Sequence, residues 1–290
     1  MTDQGAVFDL GYAPHEGERL GRRGATMALY RDGLRRVLGL RRRARKKVLP
    51  FFLIALALMP ALFFLAFSVL LGDFAEDTTF FDHAVYFDLT GSVALVFVAL
   101  AAAELIVPDR VHGTMAVYAS RPLAPTDYLL WRGASLATVA FGFLWLPHVV
   151  LYLGNAWVSG DGFGTFLWDN IDTAWQTALA SGAYLVGFAP LAFLVAAFSK
   201  RASVAAAVFI GGVTISGPTT RSLIESGFDV FGLGALQHHP GVVKDWVMNE
   251  DTHSWIPLDA GFEPIVSLLV MAAIAVLSAV VVQRRYRKAV

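Results

Sequence analysis

The chain contains no cysteine, and only 16% of its 290 residues are charged, against about 25% in an average soluble protein. Without cysteine there are no disulfides, thiolate nucleophiles or cysteine-ligated metals, and the redox compartment stays undetermined. Lysine plus arginine and aspartate plus glutamate number 23 each, so the formal net charge is zero. This composition excludes a cytosolic enzyme, a disordered regulator and a nucleic-acid-binding protein with a basic fold.

Three catalytic signatures are also missing from the sequence. There is no Gly-x-x-x-x-Gly-Lys-Ser/Thr loop to hold phosphates, no His-Glu-x-x-His zinc motif and no Gly-x-Ser-x-Gly nucleophile turn. We therefore expect the chain itself not to be an enzyme and to hold no cofactor or metal. Any ATP-driven activity then needs a separate polypeptide for ATP hydrolysis.

Apolar residues are abundant instead, at 56% of the chain with a mean hydropathy of +0.58. A helix needs about 20 apolar residues to cross about 30 Å of hydrocarbon, and barrel strands are much shorter. Six runs approach the helical length. The sequence therefore predicts an all-α integral membrane protein with six transmembrane helices over residues 48–71, 89–107, 133–153, 174–198, 203–224 and 264–282.

The six spans form a predicted transmembrane domain over residues 48–283, between a basic arm (1–47) and a basic tail (284–290). Within the arm, Gly24–Arg43 predicts an amphipathic helix that lies along the lipid headgroups on the cytoplasmic side. A solvated basic arm is the alternative. The residues expected on the apolar side of the helix are Met27, Tyr30, Leu34, Val37 and Leu38.

The basic residues indicate the orientation. Of the 23 lysines and arginines, 21 lie before the first span, between the second and third, between the fourth and fifth, or in the tail. Only Arg221 and Lys244 remain for the other side. Because basic residues accumulate in cytoplasmic loops, we expect a multi-pass protein of the plasma (cytoplasmic) membrane with both termini in the cytoplasm.

The connection between the second and third spans (residues 108–125, "the link") is long for a helical hairpin. We expect the second span to stop at Pro108, a short helix over Thr114–Ala119, and Thr126 as the cap of the next helix, with Asp127 favouring its positive N-terminus. Such a short helix on the cytoplasmic side is suited to transmitting force from a soluble partner.

The order and spacing of residues around the link resemble the ABC-2 type transporter permeases. In that family an "E…R…GT" segment leads into "SRPL…YLL" between the second and third helices. One departure is Pro108-Asp109, where family members often carry a Glu-Arg or similar charged pair. The matching residues here are Glu104, Arg110, Gly113-Thr114, Ser120-Arg121-Pro122-Leu123 and Tyr128-Leu129-Leu130.

The resemblance implies an ABC-2 (type V exporter-like) permease fold and a permease subunit of an ATP-binding-cassette exporter. It implies an ATP-binding subunit that carries ATP and magnesium, and a second permease copy in a homodimer or a related permease. We also expect contact with membrane lipid and no binding of nucleic acid. The residues do not identify the transported substrate. Phe228–Trp255 is the candidate for a re-entrant element or an outer cap. The residues expected to couple to the ATPase are Arg110, Gly113, Thr114, Arg121 and Pro122.

Ionisable and polar residues inside the spans need a reason, because a charge at mid-bilayer costs about 2.5–3.5 kcal/mol on insertion scales. Glu104 is interpreted as a structural latch that pairs with Arg110 or Arg132, in preference to a proton site. The candidate pathway residues are His148, Tyr184, Thr214 and Ser216, although interhelical hydrogen bonds are the alternative for the last three.

The outer histidines leave two interpretations open, solvated loop residues or a metal role. Their sequence spacing lacks a full ligand set. They are His83, His238, His239 and His253.

Two rival functions are open besides the exporter permease. The first is a membrane sensor or assembly subunit that transports nothing. The second is a secondary transporter, which predicts internal repeats and pairs of intramembrane acids. The sequence shows no convincing repeat, and Glu104 is the only acid inside a predicted span.

Overall fold

The computed structural model describes residues 20–40, 44–71, 83–114, 117–118, 122–250 and 254–287. Within these residues all regular secondary structure is helical, with one 3-10 helix at Asp229–Gly234. The α-helices are α1 Gly21–Val37, α2 Arg45–Leu71, α3 His83–Val111, α4 Pro125–Val158, α5 Phe163–Asp169, α6 Ile171–Phe198, α7 Ala202–Glu225, α8 His239–Met248, α9 Ile256–Asp259 and α10 Pro264–Arg287.

Six of these helices (α2, α3, α4, α6, α7 and α10) are long and apolar enough to cross a membrane. The shortest have 24 residues, which corresponds to about 36 Å at 1.5 Å per residue, more than the hydrocarbon thickness. The predicted all-α class, with six helices long and apolar enough to span a membrane, is therefore confirmed for the described residues.

Helix α3 occupies the centre of the bundle and packs against α4, α6, α7 and α2. In its most apolar stretch 72% of the residues are buried, against 22–44% in the other five helices. Its middle is rich in alanine, with Ala99, Ala101, Ala102 and Ala103 all buried. Small side chains let neighbouring helices approach closely in a membrane protein, which explains why this apolar segment is the one that the others surround.

The chain between α7 and α10 packs onto the bundle. Helix α8 lies against α6 and α10, and all its residues from His239 to Asp245 are buried. Two glycines permit this close approach: a Cβ at Gly187 of α6 would lie 2.6 Å from Pro240, and a Cβ at Gly241 would lie 2.6 Å from the Trp255 ring. The candidate re-entrant element or cap is thus a packed helical segment, although His253 lies outside the described residues.

The first and last described helices meet at one end of the bundle, here called the basic end. Arg22 of α1 pairs with Asp127 at the start of α4, and Tyr286 in the last turn of α10 stacks on Tyr128 with ring centroids 5.6 Å apart. A chain that crosses the membrane an even number of times has both of its ends on the same side, as found here. Placing the basic end in the cytoplasm stays a prediction from the charge distribution.

The two helix boundaries predicted at the ends of the link are wrong. Helix α3 continues through Pro108 to Val111, because a proline removes only one helical hydrogen bond and the following turn is held by a strong C-terminal cap. Helix α4 begins at Pro125 with Ala124 as its N-cap residue, not Thr126. Proline is favoured at the first helical position, so the boundary lies two residues earlier. The expected role of Asp127 is confirmed, since its carboxylate accepts the Ala124 backbone N–H at 2.9 Å.

Candidate functional site: the buried arginine–aspartate network and the link

Helix α3 is terminated by Gly113-Thr114, the Gly-Thr pair of the segment that resembles the ABC-2 permeases. Gly113 has a φ of +67°, which a residue with a Cβ adopts only at a cost. Its N–H donates to the Arg110 carbonyl at 3.3 Å, and the Thr114 N–H donates to the Asp109 carbonyl at 3.0 Å. This is a Schellman C-cap, and the Thr114 hydroxyl reinforces it by donating to the same Asp109 carbonyl at 2.7 Å.

The link turns again directly after this cap. The backbone N–H groups of Val117 and Tyr118 both donate to the Thr114 carbonyl, at 3.1 and 3.2 Å. This is the first turn of the predicted short helix, of which only 114, 117 and 118 are described. Val111 and Val117 are 53% and 57% exposed. The link therefore presents apolar side chains outward at the basic end.

The five predicted coupling residues have different positions. Gly113 and Pro122 are exposed and Thr114 is partly exposed, whereas Arg121 lies outside the described residues. Arg110 points into the bundle, where its guanidinium donates to the Ala197 carbonyl near the end of α6. Its observed contact is therefore within the chain, and the coupling role of all five stays a prediction.

Asp109 of the link belongs to a partly buried network of two arginines and two aspartates. Asp109 is 2% exposed and accepts Arg36 at 2.5 Å, Arg132 at 2.8 Å and the Tyr128 hydroxyl at 3.1 Å. Asp32 accepts the same two arginines, Arg36 at 2.8 Å and Arg132 at 2.9 Å. The charges balance, as a buried ionic cluster requires. The network joins α1, α3 and α4.

The electrostatics of the network keep its cations charged. Burial lowers the pKa of Arg36 and the neighbouring Arg132 lowers it further, but Asp109 and Asp32 outweigh both, and the pKa ends above its ordinary value. Tyr118 of the link accepts a 3.2 Å hydrogen bond from the Arg132 guanidinium at its hydroxyl oxygen. Its pKa is raised, mainly by burial and then by the negative charge of Asp109. The phenol therefore stays neutral, and its oxygen accepts the hydrogen bond from Arg132.

Helix α1 is fastened along the start of α4. Arg22 donates two bonds to the Asp127 carboxylate, at 2.9 and 2.7 Å. A Cβ at Gly33 would lie 2.2 Å from the Ser135 hydroxyl. The backbone of α1 therefore packs directly against a side chain of α4. Only Val37 of the five expected apolar-side residues is buried in this contact, and Met27 is 37% exposed. The buried residues of α1 are Thr26, Leu29, Gly33 and Val37, and Tyr30 also packs on α4, edge-on to Trp131 with 5.9 Å between ring centroids.

A latch at this end of the bundle is built around Asp109, and the latch role of Glu104 stays a prediction. Arg132, one of the two partners expected for Glu104, is wholly buried and pairs with Asp109 and Asp32. Glu104 lines a cavity of about 280 Å³ that Arg36 and Pro50 also border. Sequence reasoning noticed Asp109 only as a departure from the family pattern. The signal that it missed is that Asp109 and Arg132 both flank long apolar spans, where a charge needs a partner.

The predicted pathway residues fall into two separate groups. His148 is 1% exposed and stacks on Phe87 at 3.8 Å between ring centroids, and Tyr184 stacks on Phe87 at 5.7 Å. Thr214 and Ser216 lie on α7, with Thr214 exposed and the Ser216 hydroxyl accepting the Leu236 N–H at 3.0 Å. His148 and Tyr184 therefore share a contact with Phe87, whereas Thr214 is exposed on α7 and Ser216 bonds the chain that follows α7.

Among the outer histidines, His239 is held by packing. His239 is 1% exposed, and its two ring nitrogens bond the Ser267 hydroxyl at 2.9 Å and the Leu233 carbonyl at 3.0 Å. The interpretation of His239 as a solvated loop residue is therefore wrong. Burial lowers the pKa of His238 and of His239. Among the described residues no group of three or more potential ligands is placed to hold a metal ion.

A second buried charge cluster lies at the opposite end of the bundle. Lys244 is 0% exposed, and its ammonium contacts Asp88 at 2.8 Å and Asp245 at 2.6 Å. The sequence placed Lys244 in an outer loop because it lies between two spans. It did not predict that Lys244 is buried. Asp88 also belongs to α3, so Glu104 is not the only acid within a spanning helix.

A comparison of the chain with protein-family models gives no match, and a comparison with curated protein sequences gives none either.

Proposed function

We propose that the chain is the permease subunit of an ATP-binding-cassette exporter, coupled through its link to a separate ATPase subunit. The observation that carries the proposal is the geometry of the link. It exposes Val111 and Val117 between two helix ends that the ion-pair network joins.

The network supplies the stiffness that force transmission needs. A push on the link reaches the Schellman cap at Asp109, and the Asp109 carboxylate is bonded to Arg36 of α1 and Arg132 of α4. Because packed and ion-paired elements move as units, displacement of the link displaces three helices together. ATP and magnesium bind to the partner, and this chain contributes the pathway and the docking surface.

The arrangement of the complex follows from the same proposal. The basic end faces the cytoplasm, where an ATPase reaches the link. A second copy of this chain, or a related permease, completes the pathway, since a single chain brings together only part of the predicted pathway residues. The resemblance of residues 104–130 to ABC-2 permeases supports this arrangement.

Copurification tests the proposal. Tagged chain is coexpressed with each ATP-binding-cassette ATPase subunit encoded in the same genome, and retained ATPase is quantified. We expect Val117→Asp to abolish retention, because a carboxylate replaces an apolar contact in the interface core. Val230→Asp is the matched control, since Val230 is 62% exposed at the opposite end. Equal retention by both variants, or retention of no ATPase by the unmodified chain, would contradict the proposal and favour a sensor or assembly subunit.

A further inference from the structure

A long apolar groove runs along the outer surface of the bundle between α4, α6 and α10. Its volume is about 640 Å³. Its lining includes small residues of all three helices, such as Gly133, Ala189 and Ala279. Its apolar wall is formed mainly by Leu129, Leu136, Leu185, Ala189, Phe193, Ala279 and Val282.

The length of the groove along the helices matches the thickness of one membrane leaflet. It extends along α4 from Thr126 to Ala137, which corresponds to about 16 Å at 1.5 Å per residue. The hydrocarbon core is about 30 Å thick, so the groove covers about half of it. It begins at the basic end, at the first turn of α4. An acyl chain from the leaflet at the basic end therefore has the length and polarity that the groove accepts.

The mouth of the groove carries the polar groups. Thr126 and Gln283 line the groove at the basic end. Arg287 is exposed and follows Gln283 by four residues, so it lies on the same face of α10 one turn beyond. The neighbouring Arg22 is already paired with Asp127. A hydroxyl, an amide and an arginine at one end of an apolar groove complement a phosphate that carries an acyl chain.

We propose that this groove binds one anionic phospholipid from the leaflet at the basic end. One acyl chain fills the groove between α4, α6 and α10, and the phosphate is held by Thr126, Gln283 and Arg287. The proposal needs the chain to lie in a membrane but needs no ATPase, so it stands or falls separately from the exporter function.

Native mass spectrometry of the delipidated chain in detergent tests the site, with dioleoyl phosphatidylglycerol and dioleoyl phosphatidylcholine as probes. We expect the first bound phosphatidylglycerol to bind at least tenfold more tightly than phosphatidylcholine. Ala279→Leu fills the groove and is expected to weaken phosphatidylglycerol binding about tenfold. The matched control is Ala273→Leu, because Ala273 is an exposed alanine of the same helix outside the groove. Arg287→Gln is expected to remove the preference for the anionic lipid.

Each alternative gives a distinct result. Equal binding of the two lipids by the unmodified chain overturns the assignment of the headgroup site. Equal phosphatidylglycerol affinity in the Ala279→Leu and Ala273→Leu variants overturns the assignment of the groove. If the unmodified chain is dimeric and Ala279→Leu makes it monomeric without loss of bound lipid, the occupant of the groove is a second copy of the chain.

Discussion

Replacing Asp109 by Asn removes the carboxylate on which the network at the basic end converges. Asp109 is 2% exposed and accepts Arg36, Arg132 and the Tyr128 hydroxyl. The asparagine amide directs a donor NH₂ toward one of the arginines, and the wholly buried Arg132 keeps a carboxylate partner only in Asp32. Removing one partner of a buried ion pair costs about 3–5 kcal/mol. We expect a loss of that size in the free energy of unfolding.

Two further variants separate the network from a general effect of lost charge. Asp32 has 46% of its side chain exposed, so Asp32→Asn is expected to cost only about 1 kcal/mol, as for exposed pairs. Once Asp109→Asn is present, Arg132→Gln removes a charge that is already poorly compensated. The double variant is therefore expected to lose about 0.5–3 kcal/mol less than the sum of the single losses, the range found for residues in contact.

The assay is equilibrium unfolding of the purified chain in detergent, followed by tryptophan fluorescence. A loss below about 1 kcal/mol for Asp109→Asn, or the same loss for Asp32→Asn, would refute the reasoning that Asp109 is the buried centre of the network. Strict additivity of Asp109→Asn and Arg132→Gln would refute the direct ion pair.

Three other predictions concern the C-cap of α3, the packing of α8 and a buried histidine. Gly113→Ala is expected to cost about 1–2 kcal/mol because of its positive φ, and hydrogen exchange should show the loss confined to the end of α3. Gly241→Ala places a methyl group 2.6 Å from the Trp255 ring and should lower thermal stability. The control is Gly182→Ala, which has no atom within 4 Å of the added methyl group and should leave thermal stability unchanged or raise it. Equal effects of the two variants would contradict the packing of α8. Because burial lowers the pKa of His239, only the unfolded state takes up the proton as the pH falls through about 6.5. Stability should therefore fall below that pH, and His239→Gln should make unfolding between pH 7 and 5 less pH-dependent.

The sequence was sufficient for the six long helices, because membrane-spanning length and apolarity are local properties of the chain. The helix ends were harder to predict. Pro108 is a frequent helix stop, yet α3 passes it, since the C-cap at Gly113 and the ion pairs of Asp109 hold the last turn. Sequence rules describe the cost of a proline but not the tertiary contacts that offset it.

The ionic partners could not be predicted for a similar reason. Arg132 and Asp109 are 23 residues apart and lie on different helices, and Lys244 and Asp88 are 156 residues apart. Burial of each charge is inferred from its apolar neighbours, but its partner depends on how the helices pack. The sequence therefore indicated a latch at the basic end and named Glu104 for it, but it did not indicate the ion-pair network that the structure forms there from Asp109, Arg36, Asp32 and Arg132.

The absence of cysteine makes the central claim directly measurable, because one introduced cysteine is the only thiol of the chain. Val117→Cys in the link, and Val230→Cys as a control of similar exposure at the opposite end, are labelled with a thiol-linked photocrosslinker in membranes that contain the ATPase subunit. The exporter account predicts a crosslink to the ATPase from position 117 and none from position 230. Crosslinks from both positions, or from neither, would contradict it.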